Sequence, residues 1–85
     1  MRIVYTVEFQ KRFHKLPKRT QAIFRKQEKI FATDWQDSRL HTKKLKQDKL
    51  TFSFRLTRQY RVLFVFIDPG QVLFVTVGHR KDIYR

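Results

Sequence analysis

Residues Ser53–Phe64 read SFRLTRQYRVLF, and this stretch decides how the second half of the chain folds. Its arginines, Arg55, Arg58 and Arg61, recur every third residue, which suits one face of a helix. The residues around them instead alternate between apolar and polar, as in a half-buried strand. A turn between the arginines reconciles the two patterns, because Arg55 and Arg61 then lie on adjacent strands while Arg58 lies in the loop.

The polarity of the flanking residues predicts the register of this hairpin. The predicted core face contains the apolar residues Phe52, Phe54, Leu56, Tyr60, Val62, Phe64 and Phe66. Bringing them to one face requires a loop with an odd number of residues, which places Arg55 opposite Arg61 on the other face. A two-residue turn within Asp68–Gln71 adds a further strand and places Gly78 and Arg80 on that same outer face.

The first half of the chain is predicted to form a short strand, Arg2–Val7, followed by two helices. Phe9, Phe13 and Leu16 have the spacing of one helical face. Pro17 predicts a break, after which a second helix runs to Ala32. The core-facing stripe of this second helix is predicted to contain Ile23, Phe24, Gln27, Ile30 and Phe31.

These elements predict an α+β fold in which a helical hairpin packs on one face of a small, mainly antiparallel sheet. The segment Thr33–Lys49 is predicted to be irregular, with Trp35 covering the helix end rather than stacking on a base. Eighty-five residues without cysteine predict a single domain, residues 1–85, that contains no disulfide. The sequence shows neither a signal peptide nor a membrane-spanning run, so we expect a cytoplasmic protein with no membrane partner.

The charge of the chain indicates its partners. Twenty Lys and Arg residues against seven Asp and Glu give a net charge of +13 and a pI near 10.8. Such an imbalance opposes a compact monomer through self-repulsion, and it predicts a nucleic acid or an acidic protein as partner. The alternative is a merely solvated basic surface, which ordinary domains avoid by mixing both signs of charge.

The predicted outer face combines with the C-terminal residues GHRKDIYR into a candidate site for breaking RNA. Arg55, Arg61 and Arg80 can hold a phosphate, because guanidinium groups match phosphate oxygens and stay charged. His79 can move a proton, and Tyr84 offers a ring and a hydroxyl. Attack of a 2′-hydroxyl on the adjacent phosphate requires no metal, and no carboxylate cluster is visible, so we expect neither metal nor cofactor. The alternative is that the arginines extend into solvent, where salt screens their repulsion.

The segments EFQKRFHKLPKRTQ, LHTKKLK, SFRLTRQYRVLF and VTVGHRKDIYR, in this order, resemble the RelE/ParE superfamily of bacterial type II toxin–antitoxin toxins. The resemblance covers essentially the whole chain, and the RelE-like branch fits better than the ParE-like branch. It implies a RelE-like fold with a curved sheet. It also implies a ribosome-dependent, metal-independent endoribonuclease that cuts mRNA in the ribosomal A site, leaves a 2′,3′-cyclic phosphate and inhibits translation.

The resemblance also assigns roles to individual residues. Arg61 matches the arginine that holds the scissile phosphate, and Arg80 matches the arginine that contacts the phosphate and the leaving group. Arg55 falls where RelE has a lysine proposed as the base, and Tyr84 where RelE has a tyrosine near the cleaved nucleotide. The chain departs from the pattern at Ser53, where RelE has a basic residue.

The lysine-rich segment departs from the pattern as well. Lys43 stands roughly where the YoeB branch has its catalytic glutamate, which leaves part of the proton transfer to His79. The RNA-binding residues implied by the resemblance are Lys43, Lys44, Lys46 and Lys49.

The resemblance leaves two alternatives open: a ParE-like, non-enzymatic inhibitor of DNA gyrase, and an inactive nucleic-acid-binding member. Retention of the arginines and of Tyr84 favours the ribonuclease. The implied partners are a cognate acidic antitoxin, the ribosome and mRNA, with operator DNA bound only through the antitoxin complex.

Overall fold

The computed structural model describes residues 1–83, which form an open sheet backed by two helices. The elements are β1 (Arg2–Tyr5), α1 (Val7–His14), α2 (Lys18–Thr33), a 3-10 helix (Ser38–Leu40), β2 (Lys43–Lys44), β3 (Thr51–Arg55), β4 (Tyr60–Asp68) and β5 (Gln71–His79). The strand order is β1-β5-β4-β3-β2; β1 is parallel to β5, and the other pairs are antiparallel. The predicted α+β fold is therefore confirmed. No helix within residues 1–83 is long and apolar enough to cross a membrane.

Local signals set the ends of both helices. The Thr6 hydroxyl accepts a hydrogen bond from the backbone N–H of Phe9 (2.9 Å), so Thr6, the single residue between β1 and α1, is the N-cap of α1. α1 ends at His14, and Leu16 lies beyond it while still packing against the core. Pro17 occupies the N-cap of α2, as expected for a residue that cannot continue the preceding helix. The predicted break at Pro17 is confirmed.

The prediction that residues 33–49 are wholly irregular is wrong. Lys43 pairs with Ser53 and Lys44 with Phe52, so β2 forms the short edge strand beside β3. Two consecutive lysines carry no strand signal, and their pairing arises because the outer edge of β3 offers unpaired backbone groups. Trp35 follows the end of α2 and packs edge-on against Phe66 of β4, with ring centroids 5.0 Å apart.

The predicted register of the hairpin is confirmed. Phe54 pairs with Val62, and Arg55 lies directly opposite Arg61. On the other side of β4, Arg61 pairs with Gly78, so the third strand brings the C-terminal turn to the same face as the arginines. The helices pack on the opposite face of the sheet, where the apolar residues of β3 and β4 are buried.

Two irregularities in the pairing of β4 with β5 cancel each other. Leu63 pairs with Thr76 but Phe64 pairs with Phe74, so Val75 is bulged out of the ladder; a second shift lies between Phe66 and Asp68. The first bulge lets Phe74 and Val77 both face the core, although their odd separation would put them on opposite faces of a regular strand. The register at Gly78 is consequently the one that an unbulged hairpin would have.

Candidate active site

The arginines predicted to share one face surround a cavity of about 340 Å³ on the side of the sheet opposite the helices. The residues that line it are His41, Lys43, Ser53, Arg55, Arg61, Arg80 and Lys81. They come from the segment after the 3-10 helix, from β2, β3 and β4, and from the turn after β5. Five separate parts of the chain therefore converge on one concave, basic surface.

Arg55 reaches this cavity from the end of β3 with one donor unused. Its Nε is buried, and it has no hydrogen-bond partner among the described residues. Helix α2 fixes the main chain of Arg55, because Gln27 Nε2 donates to the carbonyl oxygens of Arg55 (3.1 Å) and Arg39 (3.4 Å). A buried donor without an acceptor costs about 1–3 kcal/mol of the free energy of unfolding.

Arg61 has a structural contact as well as a place in the cavity. Its Nη1 donates to the carbonyl oxygens of Thr57 (2.9 Å), Arg58 (2.8 Å) and Tyr60 (3.3 Å), which closes the loop between β3 and β4. These bonds orient the guanidinium plane at the site. Replacing Arg61 is therefore expected to disturb the loop together with any phosphate contact.

Arg80 is positioned by the turn that follows β5. Its backbone N–H donates to the carbonyl oxygen of Gln59 (2.6 Å), which ties the turn to the hairpin loop. Gly78 allows this turn to fold back: a Cβ on it would lie 2.8 Å from Cγ2 of Ile83, which is buried. The close packing of Ile83 on Gly78 thus brings Arg80 beside Arg61.

The described residues that line the cavity carry five cationic side chains and no carboxylate: Lys43, Arg55, Arg61, Arg80 and Lys81. Like charges on one sheet face repel each other, with Arg55 and Arg61 directly opposite across adjacent strands. Such an arrangement is stable when an anion neutralises it, and guanidinium groups bind phosphate in a bidentate manner. The geometry suits a phosphate group.

His41 lines the cavity, and the sequence analysis did not select it. It follows the 3-10 helix with φ of 50°, in the left-handed region that non-glycine residues seldom adopt. Asp37 begins this helix by accepting hydrogen bonds from the side chain and the backbone N–H of Arg39, which lower the pKa of Asp37 to about 2. These bonds cap the 3-10 helix locally, and Gln27 of α2 holds it to the fold by donating to the carbonyl oxygen of Arg39.

His79 does not line this cavity, so its predicted placement beside the arginines is wrong. It pairs with Tyr60, their rings are 5.7 Å apart, and it lines a separate cavity with Arg12 and Lys15 on the helix side. The reason is strand alternation: the residue before it faces the arginines, so His79 faces away. Its Nδ1 accepts a hydrogen bond from the backbone N–H of Lys81 (3.2 Å).

The four lysines implied to bind RNA occupy different places. Lys43 lines the cavity, whereas Lys44, its neighbour on β2, faces the opposite side of the sheet edge. Lys46 and Lys49 are exposed in the connection between β2 and β3.

Tyr84, the remaining predicted catalytic residue, lies outside the described residues.

Solved structures with the same fold include chains of toxin–antitoxin complexes. The E. coli DinJ–YafQ toxin–antitoxin complex contains a chain 10% identical to this one, with a TM-score of 0.78 and coverage of 98% of this chain and 96% of that chain. The archaeal RelE–RelB complex from Pyrococcus horikoshii OT3 gives 18% identity, a TM-score of 0.77 and coverage of 95% and 96%. No protein-family model and no curated protein matches the sequence.

The toxin–antitoxin complex RelBE2 from Mycobacterium tuberculosis contains a chain that is similar in sequence as well as in fold. It is 30% identical to this one, with a TM-score of 0.68 and coverage of 93% of this chain and 96% of that chain. The class defined by fold and site is the small α+β toxin of a toxin–antitoxin pair. Within that class, this chain belongs to the RelE/ParE superfamily of toxins.

Proposed function

We propose that this chain is an endoribonuclease that cuts mRNA on the ribosome and thereby inhibits translation. The observation that carries the proposal is the convergence of Arg55, Arg61 and Arg80 on one cavity of about 340 Å³. A phosphodiester gains negative charge on its non-bridging oxygens as the 2′-hydroxyl attacks, and prearranged cations stabilise that charge. Arg55 and Arg61 lie directly opposite each other beside this cavity, so both guanidinium groups can donate to these oxygens.

The reaction needs proton transfer as well as charge stabilisation. The bond from the 2′-oxygen to phosphorus forms while the bond from phosphorus to the 5′-oxygen breaks, which leaves a 2′,3′-cyclic phosphate and a 5′-hydroxyl. His41 is the imidazole that lines the cavity, and a neutral imidazole can accept the 2′-hydroxyl proton. The 5′-oxygen then receives a proton from the imidazolium or from water. This role replaces the one that the sequence suggested for His79.

Replacing each histidine separately tests this assignment. We expect His41→Gln to slow cleavage of ribosome-bound mRNA by about 10²- to 10⁴-fold, the usual contribution of general acid–base catalysis. His79→Gln is the matched control, because it removes an imidazole on the other face of the same sheet, and it should keep near wild-type activity. A loss of activity in the His79 variant with full activity in the His41 variant would contradict the assignment.

The charge of the chain supports the binding partners that this proposal requires. A net charge of +13 favours ribosomal RNA and mRNA as binding surfaces, and it favours an acidic antitoxin that neutralises the basic cavity. The similar chains from P. horikoshii and M. tuberculosis are recorded in complexes with an antitoxin or with RelB. Operator DNA is then contacted only through the antitoxin complex.

The proposal is tested by induced expression followed by mapping of mRNA 5′ ends, with and without ongoing translation. Cuts should appear within translated frames and disappear when initiation is blocked. Growth arrest without new 5′ ends, accompanied by DNA gyrase stalled on DNA, would overturn the ribonuclease in favour of a gyrase inhibitor.

A further inference from the structure

A second cavity, of about 530 Å³, opens at the β2 edge of the sheet next to the candidate active site. The residues that line it are Trp35, Gln36, Thr42, Lys43, Lys44 and Phe52. Lys43 lines both cavities, so the two lie on either side of the short edge strand. A strand of RNA whose phosphate lies among the arginines can reach the second cavity by passing over this edge.

The sheet register shows which part of Phe52 faces the second cavity. Phe52 lies between its cross-strand partners Lys44 on β2 and Phe64 on β4. Its ring stacks on that of Phe64, with centroids 5.4 Å apart and planes inclined by 18°, so one face is covered. The other face points toward β2 and the cavity, where Lys44 Nζ lies 5.7 Å from the ring centroid. The ammonium group of Lys44 thus lies over this aromatic face at the sheet edge.

Trp35 forms the wall beside this aromatic face. It meets Phe52 edge-on, with centroids 5.6 Å apart and planes inclined by 77°. Its carbonyl oxygen accepts a hydrogen bond from the Thr42 hydroxyl (2.7 Å), which ties the Trp35 segment to the residue before β2. The cavity therefore has one aromatic floor, one aromatic wall and two cations.

We propose that this second cavity is a stacking subsite for the base of a nucleotide adjacent to the scissile phosphate of single-stranded RNA. A nucleotide supplies both a flat π-face for Phe52 and a phosphate for Lys43 and Lys44, which matches single-strand binding by stacking on aromatic rings within a basic groove. An acidic peptide uses the lysines but leaves the aromatic face without a specific partner. The inference rests on the proposed function, because it assigns RNA to the neighbouring cavity.

The experiment exploits the fact that Trp35 is the single tryptophan of the chain. Purified full-length protein is titrated at low salt with a 2′-O-methyl RNA oligonucleotide, which cannot be cleaved, while tryptophan fluorescence is recorded. A matched set of oligonucleotides carries one abasic position that is moved along the strand. We expect intact RNA to quench Trp35 and one abasic position to weaken binding at least about fivefold and to reduce the quenching.

Variants separate stacking from charge. Phe52→Leu keeps an apolar side chain against Phe64 and should remove the difference between intact and abasic RNA. Lys44→Gln should weaken binding of both oligonucleotides more than Lys49→Gln, which removes the same charge in the exposed connection. Thermal melting verifies that each variant is folded, and the comparison of oligonucleotides on the wild-type protein needs no variant.

Two outcomes would overturn the subsite. One is equal binding and quenching by intact RNA and by every abasic RNA. The other is quenching by an acidic, tyrosine-containing peptide together with base-independent RNA binding, which would assign the cavity to an acidic protein. Because this RNA cannot be cleaved, a negative binding result would not contradict the proposed mRNA cleavage. Equally, an absence of mRNA cleavage would not contradict a positive binding result.

Discussion

Arg55→Met is expected to reduce translation-dependent mRNA cleavage by about 10²- to 10³-fold while leaving the folded protein at least as stable as the wild type. The activity loss follows the usual effect of removing one prearranged donor to a developing oxyanion. The stability should be preserved because the buried Nε of Arg55 has no partner among the described residues, so no hydrogen bond of that atom is lost there. Removing one of two directly opposed cations also relieves repulsion with Arg61.

The matched control for this prediction is Arg58→Met. It removes the same charge from the same hairpin, but Arg58 is exposed in the loop and does not line the cavity. We expect this variant to cleave mRNA within a few-fold of the wild-type rate. Thermal melting and a cleavage assay on ribosome-bound mRNA measure both quantities, and an Arg55 variant that is destabilised yet fully active would contradict the account.

Phe74→Ala is expected to cost about 3–5 kcal/mol of the free energy of unfolding, the usual range for truncating a buried phenylalanine. Phe74 is fully buried on β5, and it links α1, α2 and the sheet. The rings within 6.2 Å of its own, measured between centroids, belong to Tyr5, Phe9, Phe24, Phe31, Phe54 and Phe64. The total free energy of unfolding of a small domain is about 5–15 kcal/mol, so this variant should lose a large part of it.

Urea denaturation followed by circular dichroism measures this change. Ile67→Ala serves as control, because Ile67 is also a large apolar residue of a central strand but is 51% exposed. We expect it to alter the free energy of unfolding by less than about 1 kcal/mol. Similar losses for the two variants would show that the aromatic cluster does not dominate the stability of the fold.

The hairpin could be predicted from the sequence because each strand has one apolar and one polar face. Alternation placed Arg55 opposite Arg61, and the turn signal of Pro69 and Gly70 placed Gly78 beside them. The bulge at Val75 could not be predicted in this way. It exists because Phe74 and Val77 both pack into the core, which is a demand of the tertiary structure rather than of the local sequence.

The candidate site was predictable to a similar extent. The same alternation that grouped the arginines also directs His79 to the other face, so its misplacement was avoidable from the sequence. His41 was not predictable, because its left-handed backbone depends on the 3-10 helix capped by Asp37. Gln27 of α2 holds that helix by donating to the carbonyl oxygen of Arg39, a contact between distant parts of the chain.

The chemistry of the cut RNA ends tests the central claim most directly. Purified protein is incubated with ribosomes that carry a defined mRNA, and the 3′ end of the upstream fragment is determined by mass spectrometry. Attack of the 2′-hydroxyl within the arginine-lined cavity predicts a 2′,3′-cyclic phosphate on that fragment and a 5′-hydroxyl on the downstream one, and both should form about 10²- to 10³-fold more slowly with the Arg55→Met variant. A 3′-hydroxyl on the upstream fragment, or cleavage that persists unchanged in that variant, would contradict the account.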